Sequence, residues 1–313
     1  MTRFVLLRVG QTLIALLGVS VVVFSLIHLV PGDPIRAALG TRFDQEIYDA
    51  LRARSGLDQP LLAQFVDWLG RALTGDLGVS FRSGRTITTE LGDRLPATLL
   101  LAGGSLLIGL LIAIPLGIVS AVRQGKPVDY AASTLSQVGV SVPDFWFGIL
   151  LILLVSRTLG WLPPGGYVPF TDDPVESLRR LLLPALTAGV VTGSILTRFV
   201  RSSVLGAMQA EHVRLARAKG MPERYVLRHH VLRNAWIPVV TITGLQLATL
   251  LGGIVVVEVV FSWPGIGRYA LDAVNGRDYP ALQGSVLVIA AGFLLVNLLV
   301  DLLYGKLDPR IRS

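Results

Sequence analysis

The residue types that most often carry catalysis are few in this chain and badly spaced. Neither H-E-x-x-H nor G-x-S-x-G occurs, and the four histidines are His28, His212, His229 and His230. His229 and His230 are neighbours that would point apart on a helix, so they make a poor metal pair. The Gly-Lys pairs at Gly125 and Gly305 lack the upstream glycine and the following Ser or Thr of a P-loop. We therefore predict no catalytic residue, no metal site and no nucleotide hydrolysis by this chain itself.

Three polar residues lie inside apolar runs, where such groups normally face a cavity or a partner. Glu258 lies near the end of one run, and Asn297 and Asp301 lie one helical turn apart in another. All three are candidates for a substrate pathway or gate. The alternative is local: Glu258 caps or braces the next loop, Asn297 bridges helices, and Asp301 pairs nearby or reaches the membrane surface.

A polar, basic segment separates two of the apolar runs. Its cations are Arg198, Arg201, Arg214, Arg217, Lys219, Arg224, Arg228 and Arg233. Only Glu211 and Glu223 oppose them. The pattern predicts a helix over about residues 207–219, with Gly220 just past its end and Pro222 opening a second helix. A loop this basic between two spans is predicted to lie in the cytoplasm.

The composition indicates a membrane protein. Of the 313 residues, 52% are hydrophobic and only 16% are charged, and the mean hydropathy is +0.64. A net charge of +7 could suggest nucleic acid, but the cations cluster beside apolar runs, as the positive-inside rule predicts. The absence of cysteine excludes disulfides and thiolate metal sites.

Six apolar runs are long enough to cross a bilayer as helices. They are Val9–Val30, Ala97–Val122, Asp144–Trp161, Leu181–Val200, Ile237–Phe261 and Ala281–Tyr304. The first is interpreted as an uncleaved anchor, since no A-x-A-like cleavage site follows it. Pro127–Val142 is mixed and is predicted to lie along the membrane interface. Cations concentrate in the predicted inner segments, so we expect six spans with both termini in the cytoplasm.

Residues 31–95 form a polar insert outside the membrane. Phe43, Ile47 and Leu51 recur every four residues and predict a helix that Gly56 ends. Pro60 opens a second predicted helix, whose apolar residues are Leu61, Leu62, Phe65, Leu69 and Ala72. Two helices this small can cover the mouth of a membrane bundle.

Small residues recur at every fourth position in three of the spans, which lets helix backbones approach closely. They are Gly109, Ala113, Gly117 and Ala121; Ala185, Gly189 and Gly193; and Gly244, Ala248 and Gly252. We favour packing within the chain over a subunit interface.

Leu215-Ala-Arg-Ala-Lys-Gly220, followed by His230-Val-Leu-Arg-Asn-Ala-Trp-Ile-Pro238, resembles the cytoplasmic loop of binding-protein-dependent ABC importer permeases. The branch it resembles is the dipeptide/oligopeptide/nickel group, and its first permease subunit. The loop begins Arg214-Leu-Ala, as in that branch, where the wider family often has Glu-Ala-Ala. His212 stands where an aromatic Tyr is expected. Glu258–Gly267 and Gly75–Ser80 also resemble the family.

The resemblance implies an all-α membrane protein. Residues 1–95 would hold the first span and the extracytoplasmic insert. Residues 96–313 would form the five-helix core of a type I ABC importer, with a cytoplasmic coupling loop at 202–236. The implied partners are a second homologous permease, two ATPase subunits that bind ATP and Mg²⁺, an extracytoplasmic solute-binding protein and the lipid bilayer of the bacterial inner membrane. No cofactor and no nucleic acid is expected on this chain.

Energy from ATP must then reach the chain by contact, through the helix that ends at Gly220. The expected coupling residues are Glu211, Arg214, Leu215, Ala216, Arg217, Ala218, Lys219, Gly220 and Met221. Arg217 and Lys219 would contact acidic or carbonyl groups of the ATPase, while Ala216 and Ala218 would permit close approach. The alternative for the cations is that they only orient the protein in the membrane. The residues expected to dock the solute-binding protein are Trp263, Pro264, Gly265 and Gly267.

A second function class is an ion-coupled secondary transporter. It predicts inverted repeats and acids at mid-membrane depth, whereas no repeat is visible and the acids lie toward the span ends. For the importer, peptides are the expected substrates, and nickel complexes, haem or another small solute are the alternatives.

Overall fold

A computed structural model describes residues 2–29, 33–39, 43–55 and 59–307. The described part consists of helices and turns, with one isolated β-bridge between Val79 and Thr86. Its first helices are α1 (Thr2–Leu29), α2 (Pro34–Leu39), α3 (Gln45–Ser55) and α4 (Leu61–Leu73). The predicted stop at Gly56 and the tail cations Arg310 and Arg312 lie outside the described residues.

The remaining helices form the membrane bundle and its loops. They are α5 (Ile87–Val122), α6 (Pro127–Ser141), α7 (Asp144–Leu151), α8 (Pro174–Met208), α9 (Glu211–Ala218), α10 (Glu223–Tyr225), α11 (Leu232–Gly253), α12 (Val255–Val260), α13 (Ile266–Asn275) and α14 (Tyr279–Leu307). A π-helical stretch, Ile152–Thr158, extends α7, and another, Val226–Val231, joins α10 to α11.

Five helices of the described part are each long and apolar enough to cross a membrane: α1, α5, α8, the continuous helix from α10 through α11, and α14. The α6–α7 pair passes the same test only together and is bent by 98°. The helix breaks there because Pro143 restricts the residue before it to extended backbone. Counting the pair as one span gives six, as the sequence predicts.

The segment expected along the membrane interface, α6, packs against the bundle along one side only: Asp129, Ala132 and Ser136 are buried, whereas most of its other side chains are exposed. Ser136 Oγ on α6 donates a hydrogen bond to the carbonyl oxygen of Ser194 on α8 (2.5 Å). One turn further along α6, Gly139 lies directly against the Ser194 side chain. The buried side of α6 therefore makes polar contacts between helices, and the interfacial position of its exposed side stays a prediction.

The α5–α8 contact is built on the predicted small residues. A Cβ atom on Gly109 would lie 3.2 Å from the backbone nitrogen of Gly193, and one on Gly117 would lie 2.6 Å from Val200 Cβ. Gly244 of α11 lies in the same way against Val300 of α14. Packing within the chain is therefore confirmed for these positions.

Two predicted helices are broken. The helix expected over 207–219 is divided, because α8 continues to Met208 and the chain turns at Gln209 before α9 begins. The fifth span, expected to run to Phe261, is interrupted at Ile254 between α11 and α12. By contrast, α5 begins ten residues before the predicted span and includes Pro96, so residues 87–95 are continuous with the second span.

The N-terminal helix lies against α14 in antiparallel fashion. At one end, Arg8 Nη1 is 3.0 Å from Asp301 Oδ2. At the other, Gln283 Nε2 donates to the carbonyl oxygen of Val23 (3.1 Å). In the insert, Ile35, Tyr48 and Phe81 form a small buried cluster, and the two predicted helices are present as α3 and α4.

Candidate functional site

The helix α9 and the turn after it form a compact element at one end of the bundle. Val213 and Ala216 are buried against residues of α8 and the α10–α11 helix, including Val200, Val204 and Val226. The opposite face exposes Glu211, Arg214, Leu215 and Ala218. One stripe of α9 therefore fixes the helix to the bundle, while the other is available to a partner.

The turn after α9 is a Schellman motif that requires a left-handed residue. Gly220 has φ +75°, its N–H donates to the carbonyl oxygen of Arg217 (2.9 Å), and the N–H of Met221 donates to that of Ala216 (3.3 Å). Since a residue with a Cβ atom is disfavoured at such φ values, the glycine at position 220 has a specific backbone reason. The predicted position of Gly220, just past the end of the helix, is confirmed.

Two expectations about α9 change with the structure. Arg217, expected to bind an acidic group on the ATPase, pairs with Glu223 across the turn, with Nη2–Oε1 at 2.6 Å and Nε–Oε2 at 3.1 Å. Ala216, expected to permit close approach of the ATPase, faces the bundle. The sequence could not separate these roles because they depend on the turn that brings Glu223 to Arg217 and on the side of α9 that packs against the bundle.

A polar contact fixes α9 to the helix that follows it. Asn234 Nδ2 is 2.8 Å from His212 Nε2 and also donates to the carbonyl oxygen of His230 (3.1 Å). His212, which stands where an aromatic was expected, thus reaches the next helix by a hydrogen bond.

At the other end of the bundle, Glu258 of α12 is completely buried. Its carboxylate accepts hydrogen bonds from Thr98 Oγ1 (2.8 Å), from the N–H of Arg268 (2.8 Å) and from the N–H of Gly267. The two amides are at the start of α13, where a negative group is favourable. The geometry is that of a brace that joins α5, α12 and α13.

The glycines of the Glu258–Gly267 motif make room for this brace. A Cβ on Gly265 would overlap the Glu258 carboxylate, and one on Gly267 would lie 2.6 Å from a methyl carbon of Val255. Trp263 is also buried, and its Nε1 donates to the carbonyl oxygen of Ala97 (2.8 Å). The expected docking role of the Trp263 side chain and of the two glycines is therefore corrected to an internal one, whereas Pro264 is partly exposed.

Beside this brace, an aromatic side chain of α13 packs on the start of α5. The Arg94 guanidinium lies 4.3 Å from the centre of the Tyr269 ring, and Arg94 is also paired with Glu90 (2.8 Å). Burial raises the pKa of Tyr269 to about 12, so its hydroxyl stays neutral at physiological pH.

Of the two candidates on α14, Asp301 pairs with Arg8, as its local interpretation expected. Asn297 lies one turn away, and its Oδ1 is buried with no hydrogen-bond partner among the residues that the structure describes. The structure brings neither residue near Glu258, which contacts α5 and α13 instead.

The sequence missed two buried carboxylates that join distant segments. Asp129 of α6 binds Arg201 of α8 by two hydrogen bonds (2.8 and 2.9 Å) and also contacts Ser120 of α5. Asp278 accepts hydrogen bonds from Ser80 Oγ and from the N–H of Phe81 (3.1 Å). Each acid lies near the predicted end of an apolar run, and its sequence neighbours do not indicate its partner. Arg201 is one of eight cations in the basic segment, and its position along the chain does not distinguish it as the partner of Asp129.

The comparisons with known proteins agree with this architecture. Residues 113–313 match the family described as "Binding-protein-dependent transport system inner membrane component", and residues 1–102 match its N-terminal region. The dipeptide transport system permease protein DppB of Escherichia coli (strain K12) is 38% identical over 336 residues, covering 100% of this chain and 99% of the relative. The glutathione transport system permease protein GsiC of Salmonella choleraesuis (strain SC-B67) is 42% identical over 312 residues, with the same coverage.

Two solved structures share the fold. The MetNI methionine ABC transporter, in an inward-facing conformation, aligns with a TM-score of 0.59 at 17% identity over 70% of this chain and 96% of that chain. An amino acid ABC transporter with histidines aligns with a TM-score of 0.52 at 18% identity, over 71% of this chain and 94% of that chain.

The helical bundle and its basic loop are those of a type I ABC importer permease, a multi-pass protein of the inner membrane. The chain belongs to the family of binding-protein-dependent transport system inner membrane components, in its dipeptide/oligopeptide/nickel branch.

Proposed function

We propose that this permease imports short peptides into the cytoplasm by alternating access. The observation that carries the substrate class is the similarity, over the full length of the chain, to permeases named for dipeptide and glutathione transport. Because the chain belongs to the ABC importer family, we do not retain the second function class, an ion-coupled secondary transporter. In addition, the buried carboxylates of Asp129, Glu258 and Asp278 are all engaged by hydrogen bonds.

In this proposal a second permease, two ATPase subunits and an extracytoplasmic solute-binding protein complete the importer. ATP and Mg²⁺ bind the ATPases. Changing a bundle from mostly inward-facing to mostly outward-facing requires about 5.5 kcal/mol of differential binding. ATPase closure provides this by moving α9, whose buried stripe transmits the motion to α8 and α11.

The exposed stripe of α9 is the contact surface in this mechanism. Leu215 is a large apolar side chain at its centre, with Glu211, Arg214 and Ala218 around it and Lys219 and Met221 at the turn. Arg217 keeps a role in coupling by holding the turn rigid through Glu223. At the outer end, Glu258 supports the gate by bracing α13, and Pro264 is the accessible docking position.

The substrate is tested by uptake into proteoliposomes that contain the purified importer, its solute-binding protein and internal ATP. The compounds to compare are a dipeptide, a tripeptide, glutathione, a nickel complex and haem. We expect ATP-dependent accumulation of one or more of the peptides. Uptake of nickel or haem alone would assign another substrate of the same branch, and uptake by this permease without the other subunits would overturn the mechanism.

The contact surface is tested by Leu215→Asp, with Leu178→Asp as the control for a charge on an exposed leucine at the other end of the helix bundle. A carboxylate placed inside an interface loses its hydration without gaining a partner. We therefore expect Leu215→Asp to weaken ATPase binding at least tenfold, measured by co-purification, and the control to bind normally. Equal binding by both variants would place the contact elsewhere.

A further inference from the structure

Helix α4 exposes a large apolar face, which would be unfavourable if it met only water. The exposed fractions of Leu61, Leu62, Val66 and Leu73 are 58%, 75%, 62% and 78%. Leu62, Val66 and Leu73 follow one side of the helix and Leu61 is its first residue, whereas Asp67 and Arg71 lie on the other side. Arg71 is paired with Asp67 at 3.3 Å. A large apolar stripe of this kind marks an interaction surface.

The position of α4 identifies the environment that the stripe meets. Phe65 and Trp68 of α4 contact Phe24, near the outer end of α1, with ring centroids 5.3 and 5.9 Å apart. Aromatic side chains concentrate where a membrane meets water. The helix is thus held beside the end of a membrane span, with its charged side turned away from its apolar stripe, which is the pattern of an interfacial helix.

Beneath α4, a cavity of about 430 Å³ opens between α1 and α14. Its walls include Leu13 and Leu17 of α1, Leu69 and Ala72 of α4, and Leu287 and Ala291 of α14. Both α1 and α14 are membrane spans whose apolar windows are only 6% buried in the chain. The cavity is therefore continuous with surfaces that face the bilayer, and its volume is in the range of sites for small hydrophobic ligands.

We propose that α4 is an interfacial anchor in the outer leaflet. Its apolar stripe inserts at the boundary between headgroups and acyl chains, and an acyl chain of a phospholipid occupies the cavity beneath it. A solute-binding protein that docks transiently would leave four large apolar side chains in water between cycles, whereas lipid covers them continuously. The anchor would hold the insert in place while the core helices move.

The depth of α4 can be measured directly because the chain contains no cysteine. Leu62→Cys and Val66→Cys, each carrying an environment-sensitive fluorophore, are compared in the assembled importer in nanodiscs. Asp67→Cys, on the opposite side of the helix, is the matched control. Phospholipid spin-labelled in its acyl chain and aqueous iodide serve as the quenchers.

We expect the lipid probe to quench the labels at 62 and 66 severalfold more than iodide does, and the label at 67 to show the reverse order. Equal quenching of all three labels by iodide would refute the anchor. If neither quencher reaches 62 and 66, a protein covers the stripe and the proposal fails. The experiment is repeated without the solute-binding protein, since protection that depends on that protein would make the stripe its docking surface.

Occupancy of the cavity is tested with a phospholipid that carries a photoreactive diazirine in its acyl chain. We expect cross-links to the peptides that contain Leu69 and Leu17, and at least a fivefold loss of them in Ala72→Trp, which fills the cavity. Ala291→Phe fills it from the opposite wall and replaces the first variant if that does not assemble. Cross-links of unchanged yield in an assembled filled variant would show that no acyl chain enters.

Discussion

At the scale of single residues, the permease depends on a few positions where the local structure restricts the residue type. Gly220 is required by backbone conformation alone, because a Cβ atom there would meet nothing within 4 Å. Glu258 is required for the opposite reason, since it is surrounded by donors that have no other acceptor among the described contacts. The two residues therefore predict different kinds of defect.

We expect Gly220→Val to assemble but to couple poorly. A β-branched residue at φ +75° costs on the order of 1–2 kcal/mol of backbone strain, which shifts the turn that positions α9 without removing any packing. The measurement is the number of solute molecules imported per ATP hydrolysed, which should fall severalfold. Gly220→Asn is the control, since Asn tolerates this conformation, and a normal ratio in the Val variant would argue against a rigid turn.

Glu258→Ala is expected to destabilise the permease. Removing the carboxylate leaves three buried donors unsatisfied, at about 1–3 kcal/mol each, so the loss should be at least about 3 kcal/mol. The midpoint of thermal unfolding of the purified importer measures it. Asp272→Ala removes an exposed carboxylate from the same region and should change the stability by less than about 0.5 kcal/mol. Equal unfolding midpoints for the two variants would mean that the hydrogen bonds of Glu258 contribute little to stability.

At the scale of elements, two arginine–carboxylate pairs hold helices together in different surroundings. The Asp129 side chain is 6% exposed in its pair with Arg201, which joins α6 to α8. The Glu223 side chain is 63% exposed in its pair with Arg217, which spans only the turn after α9. Because solvent screens the second pair, the two should differ in their contribution to stability although their geometry is similar.

We expect Arg201→Gln to reduce stability by about 3–5 kcal/mol, because it leaves Asp129 buried and unpaired. Arg217→Gln should cost about 0–1 kcal/mol. Thermal unfolding of both variants provides the comparison. The double variant Asp129→Asn/Arg201→Gln should recover part of the loss, and similar destabilisation by both single variants would contradict the role assigned to burial.

At the scale of the whole molecule, the spans fix which loops share a side of the membrane. In the proposed mechanism α9 faces the ATPases in the cytoplasm, so we expect the loop of residues 159–173 and the brace around Glu258 to face outward. We then expect both termini to be cytoplasmic, as the cations of the predicted inner segments also indicate.

This orientation can be tested with single cysteines in the cysteine-free chain. In right-side-out vesicles, a membrane-impermeant maleimide should label Thr171→Cys and leave Arg214→Cys unlabelled until the membrane is opened. Both positions are exposed, so a difference in labelling shows on which side of the membrane each position lies. Labelling of Arg214→Cys in intact vesicles would invert the topology and exclude ATPase contact through α9.

The sequence by itself determined the features that depend on neighbours along the chain. The lengths of the apolar runs predicted six spans. Small residues at every fourth position predicted the close packing of α5 against α8. Gly220, after a basic helix, predicted a turn at the end of that helix. Each of these follows from helix periodicity and backbone sterics, which act over a few residues.

The tertiary structure alone decided the pairings between distant segments. Asp129 meets Arg201 across 72 positions, Glu258 meets Thr98 across 160, and Trp263 meets Ala97 across 166. An acid in the sequence shows only that a carboxylate is present. Which donor satisfies it depends on how the helices pack, because a buried charge must be paired by whatever group the fold brings to it.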